Sequence, residues 1–354
     1  MTQSRTLYVG LDVHKDALAV ASAAKDDGAA VVSLGHIGTR QRAIEQLVRR
    51  LHAQSPQLVL VSEAGPCGDW LSRSVTTKGH GCWRGAPALL PKQAGDRVTT
   101  NRRDALKLAR LRRSGDLPPV SVPAVEEEAM RDLCRARAET LHALQAAKLR
   151  RKALLLRHAL RSTGHAPWGP APLRWLSKVV CPTAAQPIVL QASVHAVTAY
   201  TARLERLEQA LHDHVQTWRL APVVDALQGL RGVQGTVAVT TVAARGDLTR
   251  FENPRQLMRY LGLTPSAYAR GERRRQGGLT KTGNAQARRA LMEGAWASRS
   301  PAKGSRHLPR RLAKLPTPIP ARSWQAQGRL GQRSRRLIAR GKHAHQVVVA
   351  IARA

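Results

Sequence analysis

The stretch LYVGLDVHKDALAVASAAKDDGAAVVSL, residues 7–34, decides the fold. Residues 7–13 are apolar and rich in valine and leucine, and they read as a buried strand. ALAVASAA at 17–24 and AAVVSL at 29–34 follow as a second and a third strand, with KDDG at 25–28 as the turn between them. Working outward, QRAIEQLVRRLH at 41–52 spaces Ile44, Leu47, Val48 and Leu51 along one side of a helix. QLVLVS at 57–62 is another apolar strand, and 69–77 and NRRDALKLARLRR at 101–113 read as helices. Three strands followed by helix, strand and helix predict an α/β layout with a mixed sheet.

LPPVSVP at 117–123 marks a boundary, because Pro118, Pro119 and Pro123 cannot continue a helix. A long helix is expected after it, running to about residue 160, with Glu126, Glu127 and Glu128 in the first turn where the helix dipole favours acids. TGHAPWGPAP at 163–172 breaks the pattern. A second helical run over 191–218 then aligns Val194, Val197, Thr201, Leu204, Leu207, Leu211 and Val215 on one stripe. Two amphipathic runs with a break predict a helical hairpin or coiled coil, a spacer that can also dimerise. Gly232-Val233-Gln234-Gly235 is a tight connection between two further helical patterns, of a kind whose backbone N–H groups can grip a phosphate. After residue 299 the chain is dense in Arg, Lys and Pro, with little sustained periodicity until 328–351. The division read from these signals is an α/β domain over 1–117, a helical hairpin over 118–220 and a mainly helical domain over 221–354.

Composition narrows the partner. The 354 residues carry 58 Lys plus Arg against 23 Asp plus Glu, a formal net charge of +35. So much unneutralised charge repels itself, and a polyanion relieves it. Nucleic acid is the commonest polyanion, with an anionic membrane surface the alternative. No stretch is long and apolar enough to span a bilayer, and MTQSRTLYVGLDV lacks the features of a signal peptide. Cys67, Cys82, Cys134 and Cys181 form no CxxC pair and read as reduced thiols of a cytoplasmic protein. His212/His214 and His343/His345 have no Cys or carboxylate cluster beside them and read as surface.

Three acids stand where ligand groups gather in α/β sheets. Asp12 ends the first strand, Glu63 follows the strand at 57–62, and Asp104 lies in the first turn of the helix at 101–113. Convergent hard oxygen ligands suit Mg²⁺, and paired ions of that kind support phosphodiester cleavage. Scattered acids in a basic protein can equally be surface ion-pair partners, and spacing alone leaves both readings open.

GLDVHKD at 10–16, SEAGPCG at 62–68 and DRVTTNRRDALKLARL at 96–111 resemble the motifs of the DEDD insertion-sequence transposases. The resemblance continues through RFENPRQLMRYLGLTPSAYARGERRRQGGLTKTGNAQARRALMEGAW at 250–296 and RLIARGKHAHQVVVAIAR at 336–353. It implies an RNase H-like (RuvC-like) N-terminal domain whose acids bind Mg²⁺, and a C-terminal serine that attacks DNA. It also implies a structured guide RNA pairing with target and donor DNA, contacts mainly to nucleic-acid backbones, and a dimer or tetramer in a bacterial cytoplasm. Position by position, Asp12, Glu63 and Asp104 match the first, second and fourth acids.

Two positions depart from the family pattern. The third acid is Asn101, whose carbonyl can ligate a cation but carries no charge. Arg270 stands at the serine position in Ala269-Arg270-Gly271, and an Arg cannot form the covalent ester. Ser266 lies four residues upstream, too far for the same attack geometry. The chain closes on VVVAIARA at 347–354, short of the apolar, aromatic tail of similar proteins. Arg273, Arg274, Arg275 and Lys281 form a basic cluster beside the serine position, and Arg102 and Arg103 flank Asp104; all six are candidate nucleic-acid contacts, and Tyr268 can stack on a base or pack in a core. The expected function is therefore DNA strand cleavage and exchange in transposition. The alternatives are a catalytically decayed copy that only binds DNA or RNA, and a metal-dependent nuclease using the N-terminal acids alone.

Overall fold

Alternate residues of the first strand face opposite layers, and this places everything that follows. The computed structural model describes residues 6–26, 28–65, 67–87, 90–91, 99–160, 170–176, 178–300 and 308–354. The expected break at 163–172 falls almost entirely outside them. Two compact units divide the chain, residues 1–124 and 125–354.

In the first unit, β1 (Thr6–Val13), β2 (Ala17–Ala24), β3 (Val32–Gly38), β4 (Gln57–Glu63) and β5 (Gly81–Gly85) make one five-stranded sheet in the order β3-β2-β1-β4-β5. The β1–β2 and β2–β3 pairs are antiparallel, whereas β1–β4 and β4–β5 are parallel. Val9, Leu11, Leu18, Val20, Leu58 and Leu60 pack on one face against α1 (Gln41–His52) and α2 (Asp69–Thr77). The opposite face is lined by small residues: Ala19, Ala21 and Ala23 meet Ala105 and Ala109 of α3 (Asn101–Ser114). Gly10 belongs to this face, and a Cβ there would stand 2.1 Å from the Ala105 carbonyl oxygen. The missing side chains let α3 lie directly on the sheet. Val61 meets Leu108 of α3 and Leu117 on the same side.

The helices and the first, second and fourth strands form where periodicity places them. The third strand forms over 32–38 rather than 29–34, with a register shift opposite Val20 and Ala21 and Gly35 at φ +86°. β5 has no counterpart in the sequence reading.

In the second unit, α4 (Val125–Arg157) and α6 (Ala185–Thr217) run antiparallel. Met130 and Cys134 cluster with Leu211 and Val215, and further along Leu144 and Ala147 cluster with Val197. α5 (Pro170–Leu176) precedes α6. Then come α7 (Ala221–Gln228) and α8 (Gly235–Arg245), whose residues Ala238–Arg245 are all buried, so α8 is this unit's central helix. Gly232, between them, takes φ +83°, and a Cβ there would stand 2.2 Å from the Gly294 carbonyl oxygen. Close packing thus accounts for this glycine. After α9 (Pro254–Tyr260) the chain departs from an all-helical pattern: β6 (Pro265–Arg270) and β7 (Arg273–Leu279) form an antiparallel ribbon. α10 (Ala285–Ala295), α11 (Leu308–Leu312), α12 (Pro318–Ala339) and α13 (Ala344–Ala352) complete the unit. No helix among the described residues is long and apolar enough to cross a membrane.

Candidate active site

The acids of the first unit gather at one end of the sheet because of register and parity. Leu11 pairs with Ser62 across the parallel β1–β4 ladder, so Asp12 and Glu63 follow side by side at the carboxyl ends of both strands. Asp12 lies two residues beyond Gly10 and Glu63 two beyond Val61, and both of those face α3. Side chains two apart share a face, so both carboxylates project on the α3 side. Asp104 adjoins Ala105, the residue Gly10 admits to the sheet. Thr100 caps α3, its hydroxyl accepting from the Arg103 N–H at 3.3 Å. Asp104 therefore sits in the positively polarised first turn.

The electrostatics of Glu63 follow from this placement. The Glu63 carboxyl is raised above its usual range, first by burial and then by the negative charges of Asp12 and Asp104; Lys107 and His14 oppose this. Asp12 is 7% exposed, and its Oδ2 lies 3.0 Å from Nε2 of His14. Neighbouring negative charges are what a divalent cation relieves, and carboxylate oxygens are the donors Mg²⁺ takes. The donor chemistry therefore fits such an ion. Among the described residues no three His, Cys, Asp or Glu side chains already stand at one ion's coordination distance. Asn101 is the first residue of α3, three before Asp104 and so on the same side of the helix, and it is exposed. Arg102 and Arg103 are exposed beside it.

The serine-position residues belong to the second unit. Arg270 ends β6 and pairs with Arg273 across a two-residue connection, Gly271-Glu272. Gly271 has φ +57°, the conformation that a tight hairpin of this length demands at its first loop residue. Tyr268 pairs with Arg275 and Ala269 with Arg274. One face of the ribbon thus carries Tyr268, Arg270, Arg273 and Arg275, and the other carries Ala267, Ala269 and Arg274. Every one of these residues is exposed. Tyr268 is therefore a surface group, not a core residue. The Ser266 hydroxyl donates to the Gly278 carbonyl at 3.1 Å, inside the ribbon. Lys281 follows β7, exposed, at φ +55°.

Two residues escaped the sequence reading. Gly10 was visible in the motif but not as the contact that seats α3. Arg84 of β5 is a buried cation touching the backbone of Glu63, and a single Arg in an unrecognised strand carries no sequence signal.

Comparison with known proteins places the chain in a family. A family model for DEDD transposases of the IS110 type matches residues 9–159. A second, described as Transposase IS116/IS110/IS902 family, matches residues 224–308. The chain is 39% identical over 349 residues to a putative transposase of Sinorhizobium fredii, covering 99% of this chain and 86% of that protein. It is 25% identical over 338 residues to the transposase for insertion sequence element IS1533 of Leptospira borgpetersenii, covering 94% and 97% respectively. With a match in each unit and a 39% identical relative aligned over 99% of this chain, the chain belongs to the IS116/IS110/IS902 family of insertion-sequence transposases.

Proposed function

We propose that the chain cleaves and exchanges DNA strands in transposition of an insertion sequence, with Asp12, Glu63 and Asp104 as its metal-binding acids. The observation that carries this reading is the parallel register of β1 and β4, which sets Asp12 and Glu63 side by side on the face covered by α3, the helix that carries Asp104. The strand order β3-β2-β1-β4-β5, with three antiparallel strands followed by two parallel additions, supports an RNase H-like (RuvC-like) fold for this part. The acids would hold Mg²⁺, which when bound supplies Lewis-acid stabilisation to a scissile phosphate. The protein's own contribution is to fix the acids on rigid strand ends and on a capped helix. Asn101 adds a neutral oxygen where the family has a charge, so metal affinity is expected to be lower than with Asp.

Nucleic acid is held by charge. Arg102 and Arg103 flank Asp104, and Arg273, Arg274, Arg275 and Lys281 lie on or beside the ribbon, exposed and suited to phosphate oxygens. The partners in this reading are element-end and target DNA and a structured guide RNA, handled by a dimer or tetramer in the cytoplasm. The functional parts are taken as 1–117, 118–220 and 221–354. A second reading, binding of DNA or RNA without strand transfer, is favoured by one observation: the serine position is an exposed Arg270 at the ribbon's turn, with Ser266 engaged elsewhere.

The two readings separate in a Mg²⁺-dependent cleavage assay on element-end DNA with cognate RNA. Cleavage at the acid site predicts Mg²⁺-dependent nicked product that is lost in Asp12→Ala. Binding alone predicts a salt-sensitive complex without nicking.

A further inference from the structure

Arg84 is the fourth of the five residues of β5 and is 2% exposed, so the fold buries a permanent cation next to the strand that carries Glu63. A buried guanidinium is tolerated only where its charge is matched and its N–H groups find acceptors. Its Nη2 donates to the carbonyl oxygens of Glu63 at 2.9 Å and of Gly65 at 3.1 Å. Its Nη1 pairs with the carboxylate of Asp69, the first residue of α2. Gly68 leaves room for this, since a Cβ there would stand 2.6 Å from Nη2. The intervening peptide is held from β5 as well: the Ala64 N–H donates to the Gly85 carbonyl at 2.7 Å. Arg84 is in register with Ser62, the neighbour of Glu63, so the guanidinium acts from the sheet face opposite the Glu63 carboxyl. It grips the backbone of the strand end and leaves the carboxylate free on the α3 side.

We propose that Arg84 is a positioning residue for the acid site. By holding the Glu63 and Gly65 carbonyls, with Asp69 balancing its charge, it fixes the direction in which the Glu63 carboxylate is presented to a divalent cation. This rests on the reading of Asp12, Glu63 and Asp104 as metal-binding acids. The task needs a guanidinium: its rigid fork serves a carboxylate and two carbonyls at once, whereas an ammonium is a compact point charge.

Binding of Mn²⁺ to the full chain, read from the electron paramagnetic resonance of the free ion, tests this without requiring turnover. The native chain is compared with Asp12→Ala, Arg84→Met and Arg84→Lys, with thermal unfolding in metal-free buffer recorded alongside. Expected are loss of the site in Asp12→Ala and about 10- to 100-fold weaker binding in Arg84→Met, the range typical for groups that orient a metal ligand. Arg84→Lys, which keeps the charge and most of the stem, is expected to stay folded and still bind more weakly than the native chain. Should Arg84→Met fail to fold, the Lys variant decides. Native affinity in a folded Arg84→Lys would overturn the proposal while leaving the acid site intact. Equal binding by the native chain and Asp12→Ala would remove the acid site itself, and the role of Arg84 with it.

Discussion

At the scale of single residues, the acid end of the sheet is held in an uncomfortable electrostatic state. Glu63 resists ionising in the folded chain because it is partly buried and faces Asp12 and Asp104. A carboxyl raised on folding favours the folded state below its ordinary range and loses that contribution as pH rises through the folded value. Glu63→Gln is therefore expected to raise the unfolding midpoint in metal-free buffer near neutral pH. The gain should vanish below about pH 4, where an ordinary Glu takes up its own proton. Added Mg²⁺ should stabilise the native chain and not the Gln variant. Thermal unfolding against pH checks all three, and an unchanged midpoint at neutral pH would mean that neither burial nor the neighbouring acids press on Glu63. Asp12, Glu63 and Asp104 were legible as residue types at strand and helix ends. Their convergence was not, because it depends on register and on which face each side chain takes. Arg84 was invisible for a related reason: nothing in GCWRG marks its Arg as buried.

At the scale of elements, a glycine and three alanines set how closely α3 approaches the sheet. Gly10→Ala would place a methyl 2.1 Å from the Ala105 carbonyl and 2.8 Å from the Ala109 nitrogen, both backbone atoms that cannot swing aside. We expect a loss of about 1–3 kcal/mol or more, the range for overpacking, measurable by urea unfolding. α3 must also move outward, carrying Asp104 with it, so divalent binding should weaken too. Gly38→Ala meets open space and serves as the control, with stability near native. Where the sequence reading failed, the failures have physical causes. β5 is five residues long with glycine at both ends and a charge within, so it lacks the alternation that betrays a strand. The β6–β7 ribbon buries almost nothing, and a strand with both faces in water has no apolar period to read. α1, α3 and α4 were legible because each turns one face to a core, and β1 and β4 because burial on both faces makes them near-continuous apolar runs.

At the scale of the whole molecule, a net charge of +35 sets the affinity for polyanions more than any single side chain does. Binding to double-stranded DNA should fall by about a thousandfold or more between 50 and 200 mM salt if six or more phosphates are contacted. Replacing Arg273, Arg274 and Arg275 together should reduce the salt slope by about one for each phosphate no longer neutralised. An unchanged slope in fluorescence-anisotropy titrations would take the ribbon out of the interface. The charge and the motif order were legible along the chain, and both units match transposase models. Whether the chemistry runs turns on the acids of the first unit and on Arg270. The most direct measurement is strand exchange in cells, with element ends, target and cognate RNA supplied. The native chain is compared with one carrying Asn101→Asp, Ala269→Ser and Arg270→Ser, each with and without Asp12→Ala. The account predicts recombination by the restored chain and none once Asp12 is removed. Recombination that persists with Asp12→Ala would contradict the assignment of the acid site.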